Sequence, residues 1–252
     1  FLSYFNFCIF MSMKSNYSFQ FTTGVLGYPL LFLLLIWVVF WAELRFGLDL
    51  KSYGIYPRTT KGLVGVFSSV FIHGSLSHLY HNSLPLFVLS MALFYFYKPL
   101  AWRLIFWGIF LSGLLTWCIG KSAYHIGASG LVYVLMSFLL FKGLLSKHYR
   151  LIALSLAVVF LYGGMLWYIF PVKEKMSWEG HLSGFVLGLF FALFFKSHLP
   201  NSESYAWESE DYDVSKDLFL QQFDADGNFI DKGESEHSSK DIKINYNYKS
   251  DD

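Results

Sequence analysis

The sequence predicts an all-α, polytopic membrane protein built from six transmembrane helices, and two observations carry that prediction. The 252 residues are 55% hydrophobic and 21% aromatic but only 15% charged, too apolar for an ordinary soluble domain. The charges are also bunched: no Asp, Glu, Lys or Arg occurs in residues 15–42, 62–97, 104–120, 122–141, 151–172 or 180–195. A helix needs about 20 residues to cross the hydrocarbon layer, and it satisfies its own backbone polar groups there.

Taken in order, the first uncharged run places a helix near 24–43, after an apolar, aromatic N-terminal segment, 1–23, with no small-residue cleavage site. The run at 62–97 is too long for one span. Its front part, GLVGVFSSVFIHG, carries glycines and paired serines and reads as a segment lying at the interface, with the second span near 79–97. The remaining runs place spans near 100–119, 127–145, 150–170 and 180–198, completing a core over 24–198. Pro85 removes a backbone donor and should kink the second span.

The formal net charge of +1 conceals a division. Before Leu199 there are 14 Lys and Arg against four acids (Glu43, Asp49, Glu174, Glu179), a net +10. From Leu199 onward, five Lys face 14 Asp and Glu, a net −9. A basic membrane core thus carries an acidic, polar tail, 199–252. In that tail DADGNFID lacks the Gly and Glu that an EF-hand loop counted from Asp224 requires, and a tight turn at Asp226-Gly227-Asn228 accounts for it. Cys8 and Cys118 are far apart and suggest no disulfide framework. Lys and Arg are seven on each side of the predicted spans. With the long first loop set aside they are seven to three, which favours cytoplasmic termini.

Polar side chains inside spans are costly and are functional suspects by default. Here they are chiefly His73, His78, His81, His125 and His181. In HGSLSHLYHNSLPLF, His78 and Asn82 are four apart and share one helix face. In GHLSGFVLG, His181 shares a face with Gly184 and Gly188, a stripe that lets another helix come close. In GASGLVY, Ser129 opens the fourth span among exposed backbone N–H groups, with Tyr133 one turn below it. One hydroxyl, one imidazole and a two-donor face fit nucleophilic acyl transfer. Ser129 attacks, His181 takes its proton, and His78, Asn82 and the Ser129 N–H hold the oxyanion. No carboxylate pair lies within a span and no HExxH occurs, which removes aspartyl and that form of zinc protease chemistry. No acid is placed to orient His181; Glu179, two residues away, points elsewhere. The unit is a Ser–His dyad, with Tyr133 packed on the imidazole.

These elements resemble the rhomboid family of intramembrane serine proteases: HGSLSHLYHN on the second span, GASG opening the fourth with LVY after it, and GHLSGFVLG on the sixth. The resemblance implies a rhomboid-like six-helix bundle and a serine endopeptidase that cleaves single-pass transmembrane protein substrates within the lipid bilayer. It implies Ser129 as nucleophile and His181 as base, with His78 and Asn82 as the oxyanion pair and Gly127 at the turn before the serine. Tyr133 would stack on the base, and His73 is a further histidine between the first loop and the second span. No metal, organic cofactor or nucleic acid is implied. The water-filled site would open opposite the N-terminus, in a bacterial cytoplasmic (inner) membrane, with the fifth span and PVKEKMSWEG as substrate gate. The first loop, RFGLDLKSYGIYPRTTKG, lacks the Trp-Arg pair of many members, which leaves its anchoring open.

Two other readings compete. A catalytically silent rhomboid-like protein would bind membrane-protein clients without cutting them, but such proteins usually lose the serine or histidine, and both are present. A metal transporter using His73, His78, His81 and His181 would leave Ser129 and Asn82 unexplained.

Overall fold

The computed structural model describes residues 19–146, 148–173, 176–196, 211–224 and 226–230. Cys8 and most of the N-terminal segment and acidic tail lie outside the described residues. The chain divides into two units, Phe1–Pro200 and Asn201–Asp252. The first holds six main helices: α1 (Thr23–Phe46), α2 (Leu76–Phe96), α3 (Lys98–Ile119), α4 (Ser129–Leu145), α5 (Tyr149–Tyr162) and α6 (Trp178–Phe194). No strand occurs among the described residues.

Three helices, α1, α2 and α3, are long and apolar enough to cross a membrane. So is Tyr149–Ile169, in which α5 continues as the 3-10 segment Gly163–Ile169. The protein is an integral, multi-pass membrane protein. α4 and α6 are only 17 residues each, about 25 Å of helix against a hydrocarbon layer of about 30 Å. The two short helices are those that carry Ser129 and His181.

Local chemistry sets the helix starts. α2 begins at Leu76 because the Ser75 hydroxyl accepts from the His78 N–H, and α6 begins at Trp178 because Ser177 accepts from the Gly180 N–H. α4 begins at Ser129, two residues later than the sequence suggests, because Gly127 has φ +108°, outside the helical region. Between α1 and α2 the front of the long uncharged run folds as three short helical turns, Lys61–Leu63, Gly65–Ser68 and Ser69–Phe71, packed largely on α3. α2 runs unbroken through Pro85.

At the centre stands α4. Residues 131–140 are all buried, as expected of a helix enclosed on every side, and it packs on α6, α5, α2 and α3. Its contact with α6 is the most extensive in the bundle and rests on absent side chains. A Cβ at Gly184 would lie 2.2 Å from the Gly130 carbonyl oxygen, and one at Gly188 2.4 Å from that of Val134. Polar pins fix the register: Ser137 Oγ donates to the Phe185 carbonyl at 2.7 Å. Lys142 Nζ donates to the Ala192 carbonyl at 3.0 Å and that of Phe195 at 2.5 Å, closing the carbonyl end of α6 with a cation.

The first loop is held by hydrogen bonds running in both directions to the end of α3. Arg58 Nη1 donates to the carbonyls of Cys118 and Gly120 at 3.2 and 2.9 Å. Trp117 Nε1 donates back to the Thr59 carbonyl at 2.9 Å. The first loop is thereby tied to the end of α3.

In the second unit, Val214–Lys216 and Leu220–Gln222 form 3-10 turns. Asp224 Oδ1 accepts from the N–H of Asp226 at 3.0 Å and of Asn228 at 2.8 Å, with Gly227 at φ +82°. The Asp226-Gly227-Asn228 turn is therefore closed by the Asp224 side chain.

Gly184→Val tests the central packing. Driving a side chain into the Gly130 carbonyl should cost at least about 1–3 kcal/mol, read as a lowered unfolding midpoint in detergent. Gly164→Ala, where nothing lies within 4 Å of the new Cβ, should leave the midpoint within a degree or two.

Candidate active site

The residues singled out in the sequence come from five places in the fold. Ser129 is the first residue of α4, half-buried, with Tyr133 one turn on. His181 stands in the first turn of α6 and is 5% exposed. His78 and Asn82 sit in the first two turns of α2, and His73 in the loop before it. Gly127 lies in the turn entering α4.

Tyr133 and His181 are stacked, ring centroids 4.4 Å apart and planes 14° from parallel. Both rings are held at their far edges by one element. His181 Nδ1 donates to the Tyr168 carbonyl at 2.9 Å, and the Tyr133 hydroxyl donates to the Met165 carbonyl at 2.7 Å. Both acceptors belong to the 3-10 segment after α5. A carbonyl only accepts, so Nδ1 carries the proton of the neutral ring and Nε2 keeps a lone pair. Ser129 Oγ makes no hydrogen bond to that ring here; such pairs are often loose without substrate.

The α2 face meets the turn before Ser129. A Cβ at Gly127 would lie 2.6 Å from His78 Nε2 and 3.2 Å from Asn82 Nδ2, so glycine is required by contact as well as by φ. Asn82 Nδ2 is buried and has no hydrogen-bond partner. Such a donor costs about 1–3 kcal/mol unless something accepts from it, and it faces the backbone that leads into Ser129.

His73, 1% exposed, sits beneath the same turn. Its Nε2 accepts from the Ala128 N–H at 3.4 Å, while Nδ1 lies 3.4 Å from the Phe71 carbonyl, to which it donates. The Gly127 N–H donates to the Ser69 carbonyl at 2.8 Å. His73 therefore braces the turn and does not point a donor at the reacting centre. Burial, then the His78 ring beside it, lowers its pKa from 6.5 to about 4. His81 is exposed and bonded to its own helix through Ser77. Among the described residues no group of three His, Cys, Asp or Glu side chains is placed to hold a metal. A cavity opens beside Ser129, lined among others by Ser69, Ser112, Thr116, His125 and Ser177, polar enough to hold water.

Sequence reasoning missed the carbonyls of Tyr168 and Met165, because a backbone acceptor leaves no mark in the residue pattern. It also missed the partner of Glu179, whose Oε1 accepts from the Lys121 N–H at 3.2 Å.

The family model for the Rhomboid domain matches residues 60–198, and the chain belongs to the rhomboid family. Uncharacterized proteins of Mycobacterium tuberculosis (strain H37Rv) and Mycobacterium bovis are each 37% identical over 171 residues, covering 64% of this chain and 70% of the relative. An uncharacterized protein of Mycobacterium leprae is 31% identical over 157 residues, 56% of this chain and 59% of the relative.

The lowered His73 pKa has a signed consequence. The unfolded ring binds its proton near pH 6.5 and the folded ring only near 4, so stability should be lost as pH falls through that window. His73→Gln keeps an acceptor for Ala128 without the titration. The fall in unfolding midpoint between pH 6.5 and 4 should be shallower in this variant than in the wild type.

Proposed function

We propose that this protein is an intramembrane serine endopeptidase that cleaves single-pass transmembrane proteins through a Ser129–His181 dyad. The observation that carries the reading is the tautomer of His181: with Nδ1–H committed to the Tyr168 carbonyl, the free nitrogen is a base. Membership of a family of intramembrane proteases supports the same reading.

In the proposed reaction Ser129 Oγ attacks the scissile carbonyl carbon while His181 Nε2 takes its proton. The oxyanion is met by the Ser129 N–H, the His78 ring and Asn82 Nδ2, whose buried amide gains the acceptor it lacks. His181 then protonates the leaving amine. Water, deprotonated by the same nitrogen, attacks the acyl ester and returns the hydroxyl to Ser129. The Tyr168 carbonyl stabilises the imidazolium by position, the part an aspartate plays in a triad. The shortness of α4 and α6 supports a site below the membrane surface, where both helices begin. The charge count favours cytoplasmic termini, and we assign the protein to a bacterial cytoplasmic (inner) membrane.

Purified protein should cut a single-pass substrate in proteoliposomes and should label with a fluorophosphonate. Ser129→Ala and His181→Ala should abolish both. Asn82→Leu should lower kcat by roughly 100-fold to 1,000-fold with little change in KM. Client binding without cleavage by the wild type would instead indicate a silent relative.

A further inference from the structure

Resting on that reading, the structure assigns a positioning role to His125, a buried histidine outside the dyad and its oxyanion face. Its ring closes a hydrogen-bonded circuit between the turn that presents Ser129 and the first turn of the helix that presents His181.

The circuit can be followed donor by donor. His125 Nε2 lies 3.0 Å from the Lys121 carbonyl, which can only accept, so Nε2 carries the proton. In the neutral ring Nδ1 is then an acceptor, and Ser177 Oγ, 2.5 Å away, donates to it. Ser177 Oγ in turn accepts from the Gly180 N–H at 3.3 Å, capping α6. The Lys121 N–H donates to Glu179 Oε1 at 3.2 Å, which returns the path to α6. Every link has one donor and one acceptor, and the proton on Nε2 makes this ring opposite in tautomer to His181.

The backbone of His125 adds a third attachment. Its N–H donates to the Ile55 carbonyl at 2.8 Å and its carbonyl accepts from the Ile55 N–H at 3.0 Å, pairing it with the first loop. One residue therefore joins the first loop, the end of α3 and the start of α6, four positions before Ser129. Two residues later the chain makes the Gly127 turn. Loss of the ring would free the α6 end from the Ser129 turn, while the Gly184 and Gly188 contacts lower down would remain. The consequence is misalignment of hydroxyl and imidazole, which slows turnover without touching substrate.

The test has two arms. In protein carrying 15N-labelled histidine, the ring signals lost in His125→Asn should report a proton on Nε2 and a lone pair on Nδ1 at pH 7. A proton on Nδ1, or a charged ring, would overturn the circuit whether or not the protein is a protease. In the cleavage assay His125→Leu should lower kcat roughly 10-fold to 100-fold with KM within twofold. His125→Asn, which restores an acceptor for Ser177, should recover most of that loss. Ser177→Ala added to His125→Leu should cost little more than His125→Leu alone. Wild-type turnover in His125→Leu, no rescue by Asn, or full additivity with Ser177→Ala would each overturn the positioning role. Inactive wild type would overturn the protease reading, leaving the ring signals to decide the circuit.

Discussion

The site depends on how closely α6 can approach α4. With hydrogen in place of side chains at Gly184 and Gly188, the α6 backbone lies against the carbonyls of Gly130 and Val134. In a bilayer no hydrophobic force separates protein from lipid tails, so close backbone packing and hydrogen bonds between helices supply the association. Ser137, Lys142 and the Tyr133–His181 stack then fix rotation and register. The glycines allow contact, and the polar pins choose which contact.

Polarity inside the bundle follows a consistent economy. His181, His125 and His73 each commit one ring nitrogen to a backbone carbonyl, which settles the tautomer of the neutral imidazole. Tyr133 does the same with its hydroxyl. The Asn82 amide nitrogen, by contrast, is buried without a partner beside Gly127. Unsatisfied groups in native proteins call for an explanation, and the oxyanion of the proposed reaction would supply one.

Much of this was legible in the sequence because it rests on residue type and spacing. The uncharged runs located the helices, and spacings of three, four and seven residues put His78 with Asn82 and His181 with Gly184 and Gly188 on common faces. Helix starts were less legible, since a cap such as Ser75 or Ser177 competes with nearby serines and only geometry selects one. Pro85 does not end α2, which continues through it. Least legible were the carbonyls of Tyr168, Met165 and Lys121. Every residue has a carbonyl, and only the fold decides which one meets an imidazole. The Arg58–Trp117 anchoring was hidden for a related reason, being one device assembled from residues 59 positions apart.

The proposed dyad needs a hydroxyl from α4 and a ring nitrogen from α6 within reach of one another. A 4-chloroisocoumarin acylates a serine and then alkylates an imidazole within its own reach, so it measures that proximity chemically. Treatment of the folded protein in detergent, followed by proteolysis and mass spectrometry, should yield one species joining the peptide that contains Ser129 to the peptide that contains His181. Attachment to Ser129 alone, to another pair of residues, or to neither would contradict the arrangement.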